Sequence, residues 1–431
     1  MTEGKKKNSK KVALLITVAA LGYFVDIYDL VLFGVVKAES LSIIMSGQSI
    51  EIQASTGKFL FNMQMFGMLI GGVLWGVLGD KKGRIKVLFG SILLYSIANL
   101  INAFVTDVTT YAIVRVIAGI GLAGELGAGI TLVSETMSKE KRGYGTMIIV
   151  TFGALGAVVA SIVGSEGAVI GDFIFNMTAV KFANWQVTYI VGGCLGLLLL
   201  LLRVGTIESL YFQDMKGDNK IKKGNLRILF YNKKNFIKYL HCIVIGIPIW
   251  YVVGLLVMNS KDNFAPMMGI LDIENGQAVM YTYIGLSVGD LISGALSQWL
   301  KSRKKVVGLY LGFTLVLVTS FLFFMNGASK DLYYTMCFLL GTATGYWALF
   351  VSIAAEQFGT NIRSTTANTI PNFVRGSVNL IMLCFGLLTS LSLGDAWSAF
   401  VVGSVFILLA FYSLSQLSET FGKDLDYFET E

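Results

Sequence analysis

Twelve apolar stretches of membrane-spanning length run through this chain, and the loops between them alternate between basic and nearly charge-neutral. Hydrophobic residues make up 55% of the sequence and charged residues 14%. No soluble core needs so much apolar sequence, whereas a bilayer asks for about 20 apolar residues per helix. The spans read as residues 11–36, 57–79, 85–106, 109–134, 143–164, 185–204, 237–259, 276–299, 304–326, 331–354, 364–391 and 394–415. The expected fold class is therefore an all-α membrane protein with twelve transmembrane helices.

Charge orients the bundle. With the N-terminus and the even-numbered loops in the cytoplasm, 27 of the 34 Lys and Arg fall on that side. Five fall outside (Lys37, Lys58, Lys181, Lys261, Lys330), and Arg115 and Arg375 lie within spans. The positive-inside rule then puts both termini in the cytoplasm. The net charge of +7 is a topology signal and gives no reason to expect nucleic-acid binding. A basic opening, Lys5-Lys6-Lys7, precedes the first apolar run as in a signal peptide. That run holds Asp26 and Asp29 and lacks a small-residue cleavage site, so the first helix is expected to stay.

Cys194, Cys242, Cys337 and Cys384 are scattered without CxxC spacing, so neither a zinc site nor a disulfide framework is implied. The single histidine, His241, stands near the start of span seven, where a structural role is expected. No cofactor or metal is implied, and there is no GxxxxGK[ST] motif for ATP.

Two internal repeats divide the chain. Gly76-Val-Leu-Gly-Asp80-Lys81-Lys82-Gly83-Arg84 follows span two, and Gly294-Ala-Leu-Ser-Gln298 leads into Lys301-Ser-Arg303-Lys304 after span eight, at an offset of 218. Glu135 and Arg142, seven apart after span four, reappear as Glu356 and Arg363 after span ten, at an offset of 221. Two agreeing offsets imply a duplicated six-helix unit. The expected boundaries are an N-terminal half at 1–204, a basic linker at 205–236, a C-terminal half at 237–415 and a tail at 416–431.

On these motifs the whole chain resembles the major facilitator superfamily of secondary transporters. The segment from Gly76 to Lys86 is similar to that superfamily's loop signature of Gly, three residues, Asp, a basic residue and Gly. Its physics is readable by itself: Gly76 allows close helix approach, and Asp80 can pair with cations at a neighbouring helix end, a latch that must break when the halves rock. Gly83, Arg84, Glu135, Arg142, Glu356 and Arg363 belong to the same expected latch, and Gln298 in place of Asp makes the second copy weaker. Span one (Asp26-Ile-Tyr28-Asp29) and span four (Arg115, Gly119, Gly124, Glu125) resemble the metabolite:proton symporter branch. They depart from it at Asp26, where Glu is usual, and at Ala123, where Gly is. Glu356-Gln-Phe-Gly-Thr-Asn-Ile-Arg363 resembles a motif of sugar and organic-anion porters, with Gly359 for proline. Gly119-x-Gly121-x-x-Gly124 lies inside an apolar helix, where it thins the helix for packing and binds no dinucleotide.

Six charged residues stand well inside the spans, away from their ends: Asp26, Asp29, Arg115, Glu125, Asp290 and Arg375. Each costs about 2.5–3.5 kcal/mol at mid-membrane unless it is paired, neutralised or wet. Asp26 and Asp29, at i and i+3, share a helix face. Two neighbouring carboxylates cannot both ionise cheaply, so one is expected to carry a proton. An Asp29–Arg115–Glu125 cluster is the expected grouping, since helices one and four are neighbours in the resembled fold. Arg375, just past Pro371 and one turn before Asn379, suits an anionic or zwitterionic substrate through its planar fork; pairing with Asp290 is the rival account. Tyr28, Arg115, Trp250, Tyr251, Tyr346 and Trp347 are further candidates for the cavity wall, aromatics near span ends also serving as interface anchors.

The expected function is import of a small polar, anionic or zwitterionic metabolite by alternating access, coupled to protons on Asp26, Asp29 or Glu125. A proton-coupled exporter of a drug or siderophore and a passive facilitator stand as alternatives. A monomer in a bacterial inner membrane, with substrate, protons and lipid as its partners and no enzymatic activity, completes the expectation.

Overall fold

In a computed structural model the protein is described for residues 2–137, 142–211, 226–359, 361–424, 427 and 429. Linker positions 212–225 and the side chains of Arg84 and Glu135 lie outside what is described.

The N-terminal part runs through α1 (Thr2–Ile44), α2 (Ile50–Lys82), α3 (Arg84–Asn102), α4 (Val108–Leu122), α5 (Glu125–Thr136), α6 (Arg142–Thr178) and α7 (Asn184–Tyr211). The C-terminal part begins with α8 (Leu226–Tyr231), α9 (Lys233–Val244) and α10 (Ile247–Trp250), then two π-helical turns (Tyr251–Val257, Ser260–Phe264) and α11 (Ala265–Met267). It continues with α12 (Asn275–Trp299), α13 (Arg303–Phe324), α14 (Lys330–Thr344), α15 (Trp347–Glu356), α16 (Arg363–Gly376), α17 (Val378–Ser390) and α18 (Asp395–Gln416). Among the described residues, 11 helical stretches are long and apolar enough to cross a bilayer, and the shorter apolar Lys86–Asn102 makes a twelfth crossing.

Side chains that cap helix starts sit where the chain turns. Ser49, Asp107, Ser302 and Ser329 each accept a hydrogen bond from a backbone amide of the first turn that follows, which satisfies a donor the helix cannot. The Thr110 hydroxyl and amide hold the Asp107 carboxyl below the usual carboxylate range.

Polarity is turned inside out. Leu198, Leu201, Leu309, Val316, Leu383 and Leu408 stand exposed on the outside, while Asp26, Asp29, Arg115, Glu125, Asp290 and Arg375 are buried. Lipid, not water, is the solvent such a surface fits. Glycines let the interior helices touch. The Cβ positions of Gly67 and Gly119 run into the facing backbones of α4 and α2, and those of Gly285 and Gly341 into the backbones of α14 and α12. The same small-residue contact thus builds both parts, as a duplicated unit requires. The most extensive contacts between the parts come from α2 with α16 and from α6 with α12.

Among the described residues four crossings are interrupted. α4 gives way to α5 at Ala123–Gly124, α9 to α10 at Ile245–Gly246, α14 to α15 at Gly345–Tyr346, and α16 to α17 at Ser377. The sequence reads as continuous spans there. At the third break Gly345 lies against Gly289 and Asp290, and the amide freed at Ala348 is taken by Asp290 Oδ1 at 2.9 Å. Breaks at membrane depth are tolerated where protein re-satisfies the backbone.

Candidate functional site

At mid-bundle, where α1, α6, α10, the first π-helical turn, α12, α15 and α16 converge, a cavity is walled by Tyr23, Trp250, Tyr283 and Trp347, with aliphatic groups such as Ile27 and Leu286 between them. Its one charged lining residue is Arg375, 1% exposed. The guanidinium faces the Trp347 ring at 5.5 Å, donates weakly to Tyr23 Oη at 3.4 Å and to Asn372 Oδ1 at 3.5 Å, and stands 3.7 Å from Asp26 Oδ2. Both Asp26 oxygens are buried without a hydrogen-bond partner among the described residues. Arg375 thus lines an aromatic-walled space with its Nε unpaired among the described residues.

Asp29 lies one turn on, buried, with Gly192 packed on its Oδ1 and neither oxygen hydrogen-bonded among the described residues. A charged carboxylate buried this way costs far more than a neutral one. Tyr28 points away from the cavity and donates to the Thr188 carbonyl at 3.0 Å.

The expected Asp29–Arg115–Glu125 cluster does not form. Arg115 gives its guanidinium to Gln64 Oε1 and to Tyr189 Oη (3.4 Å) and stacks over Phe33 at 4.3 Å. Glu125 is held bidentately by Arg203, with Nη1 at 3.0 Å from Oε2 and Nη2 on Oε1, and the Gly22 position leaves room for the pair. The α4–α5 break separates the two residues, and Arg203, at the end of the sixth span, is 1% exposed. Nor does Arg375 pair with Asp290, which caps α15 instead.

Asn379 follows the break at Ser377 and is absent from the cavity wall; Asn372, one turn before Arg375, is its polar neighbour. Of the candidate aromatics, Trp250 and Trp347 line the cavity. Tyr251 bonds the Ala399 carbonyl at 2.7 Å and Tyr346 the Ile245 carbonyl at 3.0 Å, so both brace helices. Tyr23 and Tyr283 were missed; no local signal separates them from 16 other tyrosines. His241 contacts Ser413 Oγ at 3.1 Å between α9 and α18.

On the side carrying both termini the two parts are fastened together. Asp80 accepts from the Ser364 amide at 3.2 Å, the Thr365 amide at 2.9 Å and the Thr365 hydroxyl at 2.5 Å. Its anchor is thus the N-terminus of α16, where exposed amides and the helix dipole favour an anion. Gly76 makes this possible, since its Cβ position comes within 3.0 Å of Thr365 Cα, and Gly83, at φ +92°, ends α2. Arg142 and Arg303 converge on Glu356 at 2.6 and 2.8 Å. Arg363, seven residues after Glu356, is buried and opens α16. The tail folds back on this face through Glu419. Burial opposes the Glu419 charge, but hydrogen bonds from the Ser302 hydroxyl and the Phe421, Arg303 and Lys304 amides outweigh it and hold the carboxyl below its usual range. On the far side, Lys37 meets Asp262 at 2.7 Å and Lys58 donates to Asn263 at 3.0 Å.

Two six-helix parts around a largely apolar central cavity that holds one buried cation, fastened on both sides, define a polytopic membrane protein. The chain belongs to the Major Facilitator Superfamily, whose description it matches over residues 19–382. A Bacillus subtilis protein named as a niacin/nicotinamide transporter is 27% identical over 84% of both chains. The benzoate transport protein of Acinetobacter baylyi is 22% identical over 81% of this chain and 78% of its own. The 3-(3-hydroxy-phenyl)propionate transporter of Escherichia coli is 25% identical over 72% of each. In fold, the proton:xylose symporter XylE superposes with a TM-score of 0.70 at 16% identity, covering 97% of this chain and 98% of XylE. The fucose:proton symporter of Escherichia coli gives 0.68 at 11% identity, covering 95% and 100%.

Proposed function

We propose that this protein imports a small aromatic monocarboxylate together with protons, by rocking of residues 1–204 against residues 237–415 about the 205–236 linker. The observation that carries the reading is Arg375: a buried guanidinium, its Nε unpaired among the described residues, in a cavity otherwise walled by aromatic and aliphatic groups. Such a wall stacks a planar ring, and a planar fork takes a carboxylate bidentately. Relatives named for niacin, benzoate and hydroxyphenylpropionate transport agree with that chemistry. The proton rides on Asp26 or Asp29. Asp26 shares Arg375 with the incoming carboxylate, so protonating Asp26 frees the guanidinium for substrate, and substrate and proton move as one neutral load. Glu125, paired with Arg203, braces α5 to α7. In a bacterial inner membrane the termini side would face the cytoplasm, a reading supported by the 27-to-5 bias of basic residues.

Purified protein in proteoliposomes, given labelled benzoate or nicotinate under an inward proton gradient, should accumulate the acid and lose accumulation when the gradient is collapsed. Arg375→Lys keeps the charge but loses the fork, and should weaken binding by roughly 10-fold or more. Equilibration without accumulation would point to a passive facilitator. Normal binding in both Arg375→Lys and Arg375→Ala would remove the anion argument.

A further inference from the structure

On the far side of the bundle a second cavity opens at the seam between the halves, walled by Gly34, Lys37, Gly57 and Lys58 on one side and by Met258, Asn259 and Met382 on the other. Two ammonium groups on one small cavity are unexpected in so apolar a protein, and neither is fully engaged. Lys37, 9% exposed, reaches Asp262 Oδ2 at 2.7 Å and the Met258 carbonyl at 3.2 Å; Lys58 is half-buried and donates to Asn263 Oδ1 at 3.0 Å. An ammonium carries three donors, so the described bonds leave one on Lys37 and two on Lys58. The group ends outward in Asp395, which accepts from Asn263 Nδ2 at 3.4 Å. Asp262 is the more exposed partner of the ion pair, 21% against 11% for Lys37.

Resting on the carboxylate reading above, we propose that this cavity is an entrance subsite for the substrate anion, in which Lys37 and Lys58 take the carboxylate before Arg375 does. Lys37 lies eleven residues beyond Asp26 on α1, about 16 Å of helix rise from the central site. The seam is closed by Lys37–Asp262, a carboxylate on an ammonium, and an incoming carboxylate is chemically the same partner. Exchange of one for the other leaves Lys37 satisfied while Asp262 turns to solvent, so breaking the seam has little net cost. The unpaired donors of Lys58 give the incoming anion a second contact that Asp262 does not use. Opening on this side is then triggered by the class of solute the protein carries, and a neutral isostere lacks the trigger.

The test sets Lys58→Gln and Asp262→Asn against wild type in proteoliposomes, with benzoate as substrate and neutral nicotinamide as competitor. Lys58→Gln should raise the KM for benzoate about tenfold and leave nicotinamide inhibition unchanged. Asp262→Asn removes the competing carboxylate and should lower the KM severalfold. Wild type alone offers a check independent of folding: its KM for benzoate should rise with ionic strength between about 0.01 and 0.15 M, with nicotinamide inhibition unmoved. The proposal is overturned by a KM within twofold of wild type in Lys58→Gln, by equal losses for benzoate and nicotinamide, or by a raised KM in Asp262→Asn. Wild type that transports benzoate while Lys58→Gln is unaltered ends the entrance subsite alone. Wild type that transports no aromatic carboxylate ends the carboxylate reading, and this one with it.

Discussion

Asp26→Asn should uncouple binding from pH. Arg375 Nη2 stands 3.7 Å from Asp26 Oδ2, and both side chains are all but inaccessible to solvent, at 1% and 0%. A substrate carboxylate that reaches Arg375 therefore competes with Asp26 for one guanidinium. A charge-assisted hydrogen bond is worth roughly 1.5–3 kcal/mol, so ionised Asp26 should weaken substrate binding by about 10- to 150-fold relative to neutral Asp26. Substrate selects the protonated protein, binding takes up a proton, and affinity must fall as pH rises. Once Asp26 has lost its proton the apparent Kd climbs about tenfold per pH unit, until the penalty is exhausted. Asparagine keeps the shape and removes the charge at every pH, so Asp26→Asn should bind at the tight end of the wild-type range with a flat profile. Equilibrium binding of labelled benzoate from about pH 5 to pH 9 reads this directly. In proteoliposomes the variant should exchange internal for external benzoate yet fail to accumulate it under a proton gradient. A wild-type pH slope surviving in Asp26→Asn would refute the shared-guanidinium mechanism; Asp29→Asn would then be the variant to carry the uncoupled phenotype.

Asp80→Asn weakens an anion's grip on the α16 N-terminus by about 1–2 kcal/mol. It should shift the population toward the form open on the termini side by roughly tenfold, read as increased reactivity of a cysteine placed at Ser364; unchanged reactivity would dismiss the latch. Glu125→Gln strands Arg203 and should destabilise the purified protein by about 3–5 kcal/mol, whereas Glu125→Gln with Arg203→Met should recover much of its thermal stability if the pair is a brace. Gly119→Leu drives a side chain into the Gln64 carbonyl and should prevent folding, seen as loss of monodisperse protein in detergent. Gly386→Leu, with nothing within 4 Å of its Cβ position, should leave the elution profile unaltered.

The crossings were legible because span length and loop charge are one-dimensional consequences of the bilayer. Asp26, Asp29 and Arg375 were legible too, since a charge in an apolar run is conspicuous whatever it touches. Which acid meets which base was not. Glu125 lies ten residues from Arg115 in one apolar run, yet the break at Ala123–Gly124 re-aims it toward Arg203 of α7. Arg203 itself was hidden because a basic residue at a span end reads as a flank. Asp290 illustrates the same limit: its partner is the Ala348 amide, a donor that exists because α14 and α15 are discontinuous. Tyr23 and Tyr283 escaped notice for a different reason. In a chain with 18 Tyr and 29 Phe, a lining ring differs from a packing ring only in where the backbone points it.

The two repeats end in unequal fastenings, and that inequality follows from a single side chain. Asp80 places a carboxylate on the first turn of α16; its counterpart Gln298 lays a neutral amide against Gly143 in the first turn of α6. A neutral amide gains little from the helix dipole. The α6 seam is instead held by Glu356, which grips Arg142 across the halves and Arg303 within its own half, while Arg142 also donates to the Lys423 carbonyl of the tail at 2.9 Å. The first fastening thus includes one anion held by two amides and a hydroxyl at a helix start, and the second is an ion-pair network that includes the tail. Because the groups at both seams are buried, salt screens them weakly, so mutation distinguishes them better than ionic strength does. Removing residues 418–431 should loosen the α6 seam and leave Asp80 on α16, making cysteines near Gly143 reactive before those near Ser364. If both sites opened together, the halves would be separating as one rigid seam, and the unequal repeat would have no mechanical consequence.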